Sequence, residues 1–275
     1  MADGCRRATF RVMTLRMLGL VAVAIASGAC ASTRGGADSA VRVLVYNIHA
    51  GTDTERRSNL DRVGQLIRDS RADIVLLQEV DRRTRRSGGV DQLDSLRRLT
   101  GLRGAFGKAI DYDGGEYGLG VLSRWEILAD SVFPLPVEAP HAGYEARVAL
   151  VAHIASPSER LRVVNTHLDA SREAYRNQQT AALGRVAAGP PAAGLIGGDL
   201  NSEPEHGVIT MLSAFGFSDL YPGCGAAPGL TFPVANPVKR IDYLLASSRW
   251  RCVSASVLPA NASDHRAVLF EIIRR

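Results

Sequence analysis

Residues 194–204, with the sequence Gly-Leu-Ile-Gly-Gly-Asp-Leu-Asn-Ser-Glu-Pro, constrain the fold of this chain most strongly. The glycine-rich apolar run is typical of a buried strand, and Pro204 prevents the strand from continuing. Side chains alternate along a strand, so Asp199 and Asn201 leave it on the same side. In α/β proteins, ligands bind at the carboxyl ends of strands. The segment predicts an α/β protein with a polar site at this position, although an isolated Asp-x-Asn pair fits a simple turn equally well.

The same arrangement, in which an apolar strand lies next to a polar residue, recurs along the chain. Alone, a charged residue at a strand end is more often an ordinary surface charge, and a lone histidine there is more often structural. The predicted strands cover residues 41–46, 73–77, 118–122, 147–154, 161–164, 240–246 and 267–272, and the polar residues are Asn47, Glu79, His167, Asp242, Asp264 and His265.

Residues 1–29 have the pattern of a secretory signal peptide. Four arginines precede an apolar run at 17–29 that is too short for a comfortable membrane span and ends in small residues before Cys30. This pattern resembles a bacterial lipobox, except that Ser27 stands where Leu is preferred. We therefore expect export and a lipoprotein anchored through Cys30, facing the periplasm or the cell exterior. Residues 30–40 would form a small, polar tether, and the alternative is an uncleaved N-terminal anchor.

The charge of the chain depends on this segment. The net charge is +5, but residues 1–29 hold four arginines and one aspartate, so the remainder carries only +2. This is weak evidence for a nucleic-acid-binding protein, and we expect no specific nucleic-acid binding. Residues 41–275 are enough for one large domain. Cys224 and Cys252 either form a disulfide or remain two buried thiols.

Two further patterns complete the prediction. Apolar positions at helical spacing and an alanine-rich stretch predict helices at 60–67, 172–188 and 205–215. Because both halves share a strand–helix–strand order, we expect a two-sheet sandwich flanked by helices. The arginine-rich run at 82–86 either meets a phosphorylated or anionic-lipid surface or forms a solvated loop, and we favour the solvated loop.

Six motifs in order resemble the endonuclease/exonuclease/phosphatase superfamily, which includes pancreatic deoxyribonuclease. They are Tyr46-Asn47, Leu77-Gln78-Glu79, Asn165-Thr166-His167-Leu168, Gly198-Asp199-Leu200-Asn201, Arg240-Ile241-Asp242-Tyr243 and Ser263-Asp264-His265. The resemblance covers nearly all of residues 41–275. It implies a four-layer α/β sandwich in which two packed, mainly antiparallel sheets are flanked by helices.

The resemblance also implies a divalent-metal site for phosphodiester hydrolysis. Glu79 would be the main ligand of Mg²⁺, or of Mn²⁺, with Asn47 beside it and Asp264 as a further ligand. Asp199 would position or deprotonate the attacking water, helped by Asn201. This set matches what the reaction needs, since a cation on the phosphoryl oxygens and an aligned water both lower its barrier.

The remaining roles that the resemblance implies concern proton transfer and substrate contact. His265 would bind a phosphoryl oxygen or shuttle a proton, with its tautomer fixed by Asp242. His167 would protonate the leaving group, and Arg147 would contact phosphate.

The resemblance narrows the substrate class. A histidine at position 167 departs from the AP-endonuclease branch, so abasic-site repair is not expected. The run at 46–53 with Gln78-Glu79-Val80-Asp81 is similar to an exported bacterial subgroup related to the C-terminal domain of the calcofluor-white-hypersensitivity protein, which acts in lipid remodelling. We expect a membrane-anchored phosphodiesterase acting on a phospholipid-type or other small phosphodiester. The alternatives are a secreted nuclease and a non-catalytic, envelope-anchored binding module, although no residue of the predicted site is missing.

Overall fold

Twelve strands and four α-helices form within the part of the chain that the computed structural model describes, residues 40–191, 194–259 and 262–275. The predicted signal peptide and all but the last residue of the predicted tether lie outside the described residues. The strands are β1 Val41–Asn47, β2 Ile74–Arg82, β3 Arg103–Tyr112, β4 Gly115–Ser123, β5 Ile127–Leu135, β6 Arg147–Ala155, β7 Arg160–His167, β8 Leu195–Asp199, β9 Phe217–Asp219, β10 Asp242–Ser247, β11 Trp250–Val257 and β12 Val268–Arg274. The helices are α1 Leu60–Ser70, α2 Gln92–Thr100, α3 Glu173–Ala188 and α4 Gly207–Ala214.

The strands form two six-stranded sheets. The first has the order β11-β12-β1-β2-β4-β3, and the second has the order β5-β6-β7-β8-β10-β9. Only β1 with β2 and β7 with β8 pair in parallel, and every other pair between these strands is antiparallel. The prediction of two mainly antiparallel sheets is confirmed.

Three apolar clusters hold four layers together. One lies between the sheets and includes Val43, Leu76 and Leu150. A second packs α1 and α2 on the outer face of the first sheet, and a third packs α3 and α4 on the outer face of the second. Each leucine that is fully buried in this way stabilises the fold by roughly 1.5–3 kcal/mol. The predicted four-layer α/β sandwich is therefore the observed fold.

The strand β1 shows why this sequence requires helices on the outside. Val43 and Val45 belong to the cluster between the sheets, whereas Leu44 and Tyr46 belong to the cluster under α1 and α2. All four are fully buried. A strand that is apolar on both faces is stable only in the middle of a layered fold, because one exposed face would leave these side chains in water.

A disulfide joins the two sheets near one end of the sandwich. Cys224 follows β9 of the second sheet, Cys252 lies on β11 of the first, and their Cα atoms are 5.8 Å apart. The sequence left open whether these cysteines pair, and the structure pairs them. Among the described residues, no helix is both long and apolar enough to cross a membrane.

Candidate active site

The polar residues that end the central strands meet at one edge of the sandwich, around a cavity of about 540 Å³. The parallel pairs β1/β2 and β7/β8 bring four strand ends together there, and β10 begins opposite the end of β8, with Asp242 facing Asp199 in register. Seven of the nine predicted site residues line the cavity: Glu79, Arg147, His167, Asp199, Asn201, Asp264 and His265. Asn47 and Asp242 are buried behind them.

A β-bulge places Glu79 in the wall of the cavity. Leu77 pairs with Gly120 and Val80 pairs with Gly118, so two residues of β2 face the single residue Leu119 of β4. Glu79 takes the extra position with φ of 56°, a left-handed conformation that is costly for a residue with a side chain. Bulges commonly redirect a side chain next to an active site.

Asn165 ties this bulge to the other sheet. Its Nδ2 donates to the carbonyl oxygens of Leu77 (2.8 Å) and Gly120 (2.9 Å), and its Oδ1 accepts from Gln78 Nε2 at 2.7 Å. Asn165 is fully buried on β7. The two motifs that contain Gln78 and Asn165 therefore supply an inter-sheet connection that the sequence did not predict.

Asp199 is the centre of the site. Its Oδ2 accepts from Asn47 Nδ2 at 3.1 Å and lies 3.6 Å from Nε2 of both His167 and His265. Its Oδ1 accepts from the backbone N–H of Asn201 at 2.9 Å. Burial raises the pKa of Asp199 to about 7, against the opposing effect of His265. The carboxyl group therefore exchanges a proton near neutral pH.

His265 and Asp242 form a buried imidazole–carboxylate pair. His265 Nδ1 lies 2.9 Å from Asp242 Oδ2. Burial lowers the pKa of His265, but the charges of Asp242 and Asp199 outweigh this effect and raise it to about 10. The imidazole is thus protonated at neutral pH, with Nδ1–H donating to Asp242 and Nε2–H available to the cavity.

At Nδ1, His167 faces Arg147 and not a carboxylate, and its imidazole is uncharged, whereas that of His265 is protonated. Arg147 Nη1 lies 3.1 Å from His167 Nδ1, and Asn201 Nδ2 lies 3.0 Å from His167 Nε2. Guanidinium and amide nitrogens only donate, and a neutral imidazole accepts at one nitrogen, so only one of these two contacts is a hydrogen bond. Burial and the charges of Arg147 and His265 hold the pKa of His167 well below its ordinary value. Arg147 Nη1 also lies 2.7 Å from Glu145 Oε1. His167 is therefore uncharged, and it is less suited to the predicted protonation of a leaving group than His265.

Asn201 follows the end of β8 in a left-handed conformation, with φ of 47°. Its Nδ2 donates to the carbonyl oxygen of Leu168 at 3.0 Å and lies 3.0 Å from His167 Nε2. The predicted proximity of Asn201 to Asp199 is present, but its carboxamide contacts the segment around His167.

Two carboxylates fit a hard divalent cation. Glu79 Oε1 accepts from Asn47 Nδ2 at 3.0 Å, and Asp264 Oδ1 accepts from Ser263 Oγ at 3.2 Å. The second oxygen of each carboxylate has no hydrogen bond within the described residues, and both residues line the cavity. Carboxylate oxygens held in this way are the ligands that Mg²⁺ prefers. Asn47 itself turns Nδ2, and not its oxygen, towards Glu79 and Asp199, so a ligand role for Asn47 stays a prediction.

The tightest group of possible ligand atoms differs from the predicted ligand set. Atoms of Asp199, Asp242 and His265 lie within 4.8 Å of one another. The hydrogen bond between His265 and Asp242 occupies part of this group, so it is better suited to proton transfer than to holding a cation. A ligand role for Glu79 and Asp264, which both line the cavity, stays a prediction.

Several cavity residues were not predicted from the sequence. Tyr112, Tyr117, Arg176 and Lys239 line the cavity, and so does Arg86 from the arginine-rich run that we expected to be a solvated loop. That expectation is correct in part, because Arg82 pairs with Glu116 and Arg85 pairs with Asp113 outside the cavity. Asp81, two residues after Glu79, was the signal in the sequence that one of these arginines turns inwards. In the structure Asp81 is fully buried and accepts two hydrogen bonds from Arg86.

The arrangement can hydrolyse a phosphate ester. Asp199, with a pKa near neutrality, can accept a proton from water, and the protonated His265 can stabilise or protonate an oxygen that gains negative charge. The guanidinium of Arg147 adds a charged hydrogen-bond donor to the lining of the same cavity.

Comparisons with known proteins agree with this fold. Residues 44–265 match the model of the Endonuclease/Exonuclease/phosphatase family. YbhP, an uncharacterized protein of Escherichia coli K12, is 28% identical over 249 residues, covering 84% of this chain and 95% of that protein.

Two solved structures from Bacteroides thetaiotaomicron share the fold. One is an endonuclease/exonuclease/phosphatase family protein, with a TM-score of 0.73, 17% identity, and coverage of 86% of this chain and 98% of the other. The second is a mannosyl-6-phosphatase, with a TM-score of 0.71, 17% identity, and coverage of 85% and 99%. With the family match across the whole site, the chain belongs to the Endonuclease/Exonuclease/phosphatase family, a family of phosphoesterases and nucleases.

Proposed function

We propose that this protein is a divalent-metal-dependent phosphodiester hydrolase of the cell envelope that acts on a phospholipid-type or other small phosphodiester. The observation that carries the proposal is the position of Asp199 Oδ2, 3.6 Å from Nε2 of both His167 and His265. A general base, a protonated imidazole and an uncharged imidazole therefore surround one point of the cavity. This is the set of groups that an in-line attack of water on a phosphoryl group needs.

In the proposed mechanism, Asp199 removes a proton from the attacking water. Asn47 Nδ2 and the backbone N–H of Asn201 hold the Asp199 carboxylate in place at 3.1 and 2.9 Å. His265 donates from Nε2 to an oxygen of the phosphoryl group or of the leaving alcohol, and Asp242 keeps it protonated through the 2.9 Å contact at Nδ1. Arg147 binds a remaining phosphoryl oxygen, and the uncharged His167 lines the cavity beside it.

Glu79 and Asp264 would hold the divalent cation, which supplies Lewis-acid polarisation of a phosphoryl oxygen when bound. Asn47 contributes indirectly, since its hydrogen bond to Glu79 Oε1 leaves the other oxygen free to bind. Mg²⁺ is the cation that we propose, with Mn²⁺ as a substitute, because the free ligand atoms are carboxylate oxygens.

The volume of the cavity and the low net charge of the chain support a small substrate. A volume of about 540 Å³ is in the range of small-molecule sites. Outside residues 1–29 the net charge is only +2, which gives little general attraction for a long nucleic acid. These observations favour a head-group-sized phosphodiester over a polynucleotide.

A location in the envelope has separate support. Residues 1–30 carry the secretory and lipobox-like pattern, and the Cys224–Cys252 disulfide is of the kind that forms in oxidising compartments outside the cytoplasm. We propose that a lipid on Cys30 holds the enzyme near a membrane, where a phospholipid-type substrate would be abundant.

The test is hydrolysis of bis-p-nitrophenyl phosphate with Mg²⁺ or Mn²⁺, with EDTA, and by the variant His265→Gln. We expect metal-dependent turnover that EDTA abolishes, and a loss of about 10²–10⁴-fold in kcat for the variant, the usual contribution of a general acid or base. Plasmid DNA and phospholipid vesicles then separate a nuclease from a lipid phosphodiesterase. An absence of turnover with any metal and any of these substrates would favour the binding module.

A further inference from the structure

One wall of the cavity carries a positively charged side chain, Arg86, that the proposed mechanism does not use. Arg86 lines the same cavity as Glu79 and Asp199, together with Tyr112 and Tyr117. Arg86 is the only arginine of the run at 82–86 that does so within the described residues. Its side chain is 38% exposed, so it is open to a ligand.

The guanidinium of Arg86 is held in one position before any ligand arrives. Its Nε and Nη2 donate to the two oxygens of Asp81, both at 2.7 Å, and Asp81 is fully buried. The guanidinium carbon lies 4.5 Å from the ring centre of Tyr112 and 5.4 Å from that of Tyr117. A bidentate ion pair and two aromatic rings therefore fix its plane. Its Nη1 makes no hydrogen bond within the described residues.

Arg86 neutralises the buried Asp81, but other hydrogen bonds also hold the loop. Thr84 Oγ1 already donates to Asp81 Oδ2 at 2.8 Å, and the backbone N–H of Gly89 donates to the carbonyl oxygen of Thr84 at 2.9 Å. The neighbouring hairpin turn is tied on by Asp113, which accepts from Arg85 Nε and from the backbone N–H of Arg86. A structural role alone therefore leaves the direction and exposure of Arg86 Nη1 unexplained.

Tyr117 connects Arg86 to the reaction centre. Tyr117 pairs in register with Asp81, two residues after Glu79 on β2, and its buried ring lies 5.4 Å from the Arg86 guanidinium. Glu79, Tyr117 and Arg86 therefore line one wall of the same cavity. A substrate whose phosphodiester lies over Asp199 and Glu79 would reach Arg86 with the group attached to it.

We propose that Arg86, fixed by Asp81 and stacked on Tyr112 and Tyr117, forms a second anion-binding subsite that takes a phosphate carried by the substrate beside the scissile phosphodiester. This inference rests on the proposed phosphodiesterase function and specifies its substrate class as phosphodiesters with a second phosphate. A planar, pre-positioned guanidinium with a free Nη1 suits a phosphate oxygen better than a flexible lysine does.

The test uses two substrates that differ only in the second phosphate: thymidine 5′-(p-nitrophenyl phosphate) and the same ester with a 3′-phosphate. We expect the protein to prefer the 3′-phosphorylated ester by roughly tenfold to a hundredfold in kcat/KM, the range for one charge-assisted hydrogen bond. The variant Arg86→Gln should lose this preference and keep its rate on bis-p-nitrophenyl phosphate. The matched control is Arg83→Gln, an exposed arginine of the same loop outside the cavity, which should behave as the unmodified protein does.

Two further measurements keep the proposal separate from folding and from turnover. The double variant Asp81→Asn/Arg86→Gln leaves no buried charge unpaired, and it should also lose the preference. In a thermal melt with Mg²⁺, thymidine 3′,5′-bisphosphate should raise Tm more than thymidine 5′-monophosphate, and only when Arg86 is present. Equal treatment of the paired probes by the unmodified protein, or a preference that survives in Arg86→Gln, would overturn the subsite while leaving the phosphodiesterase proposal intact. If no substrate is hydrolysed but the difference in Tm still depends on Arg86, the phosphodiesterase proposal is rejected and the subsite is kept.

Discussion

The charge states of the two histidines follow from one difference between their partners. Both rings face Asp199 through Nε2, but Nδ1 of His265 faces Asp242, whereas Nδ1 of His167 faces Arg147. Both rings are buried, yet the pKa of His265 is raised to about 10 and that of His167 is lowered. Sequence motifs identified both histidines, but they could not assign these states, because Arg147 is twenty residues from His167 and becomes its partner only when β6 pairs with β7.

The first residue-scale prediction concerns Asp242→Asn in metal-free protein. The pKa of His265 should fall from about 10, because the first of the three carboxylates that raise it, Asp242, becomes neutral. A raised folded pKa stabilises the fold fully below the unfolded value of about 6.5 and loses this contribution as the pH rises towards 10. The stability difference between the parent and the variant should therefore be largest below about pH 6.5 and shrink at higher pH.

NMR titration of the His265 ring and urea unfolding at several pH values would test this prediction. Asp130→Asn removes an exposed carboxylate on β5 and serves as the control, since it should leave the titration unchanged. An unaltered His265 pKa in Asp242→Asn would show that Asp242 is not the group that holds its charge.

A second residue-scale prediction concerns Asn165→Ala. The change removes the Asn165 amide from two buried carbonyl oxygens and leaves Gln78 Nε2 with Leu76 as its one remaining acceptor among the described residues, and each unsatisfied group costs about 1–3 kcal/mol. We expect a loss of about 3 kcal/mol or more in the free energy of unfolding, with lower activity because the bulge that carries Glu79 loses its support. Urea unfolding would measure the loss, and the exposed Asn236→Ala should change little. A loss below about 1 kcal/mol would rule out this role.

At the scale of elements, the interior strands and the edge strands differ in how well the sequence predicted them. The eight strands expected from apolar runs, including 41–46 and 195–199, are the interior strands of the two sheets. The four strands that were not predicted, β3, β5, β9 and β11, are the four edges. An edge strand is half-exposed and carries polar residues that weaken its pattern, as Asp130 and Pro134 do in β5.

The bulge in β2 was beyond sequence analysis for a related reason. The extra residue appears only when β2 is paired with β4, and the pairing shift between Leu77 and Val80 has no local turn signal. The sequence placed Glu79 at the end of a strand and predicted its importance. It could not predict the left-handed backbone, because Glu has no preference for that conformation.

The element-scale prediction concerns the glycines around β8. Gly198 has φ of 142°, and a Cβ there would collide with the carbonyl oxygen of Thr166 on the parallel strand β7. Gly198→Ala should therefore lower the free energy of unfolding by about 3 kcal/mol or more and shift Asp199 away from the histidines. Gly207→Ala, at the start of α4, is the matched control, since a Cβ there meets nothing within 4 Å. Thermal melts of both variants would decide, and equal stability would contradict the steric argument.

At the scale of the whole molecule, the sandwich joins its two sheets by both polar and covalent links. Asn47 of the first sheet donates to Asp199 of the second, and Asn165 of the second donates to Leu77 of the first. The fold class was predictable because strand and helix patterns are local. The inter-sheet links and the stacking of Arg86 on Tyr112 and Tyr117 were not, because they join residues that are distant in sequence.

The molecule-scale prediction concerns the disulfide. Cys224→Ser/Cys252→Ser should lower the free energy of unfolding by about 3 kcal/mol, the typical effect of closing a loop of this length, in which 28 positions separate the cysteines. Urea unfolding of the parent with dithiothreitol should give the same value as the double variant, which itself should not respond to the reductant. A double variant as stable as the oxidised parent would show that the cross-link does not stabilise the fold.

The division of the reacting groups between the two sheets determines how this protein would lose activity. Because Glu79 and His265 belong to the first sheet and Asp199 and His167 belong to the second, neither half of the sandwich holds a complete set of reacting groups. A chain whose sheets have separated but kept their strands would still look folded by circular dichroism and yet be inert. Turnover is therefore a direct reporter of docking between the halves, and on heating it should disappear before, or together with, the secondary structure.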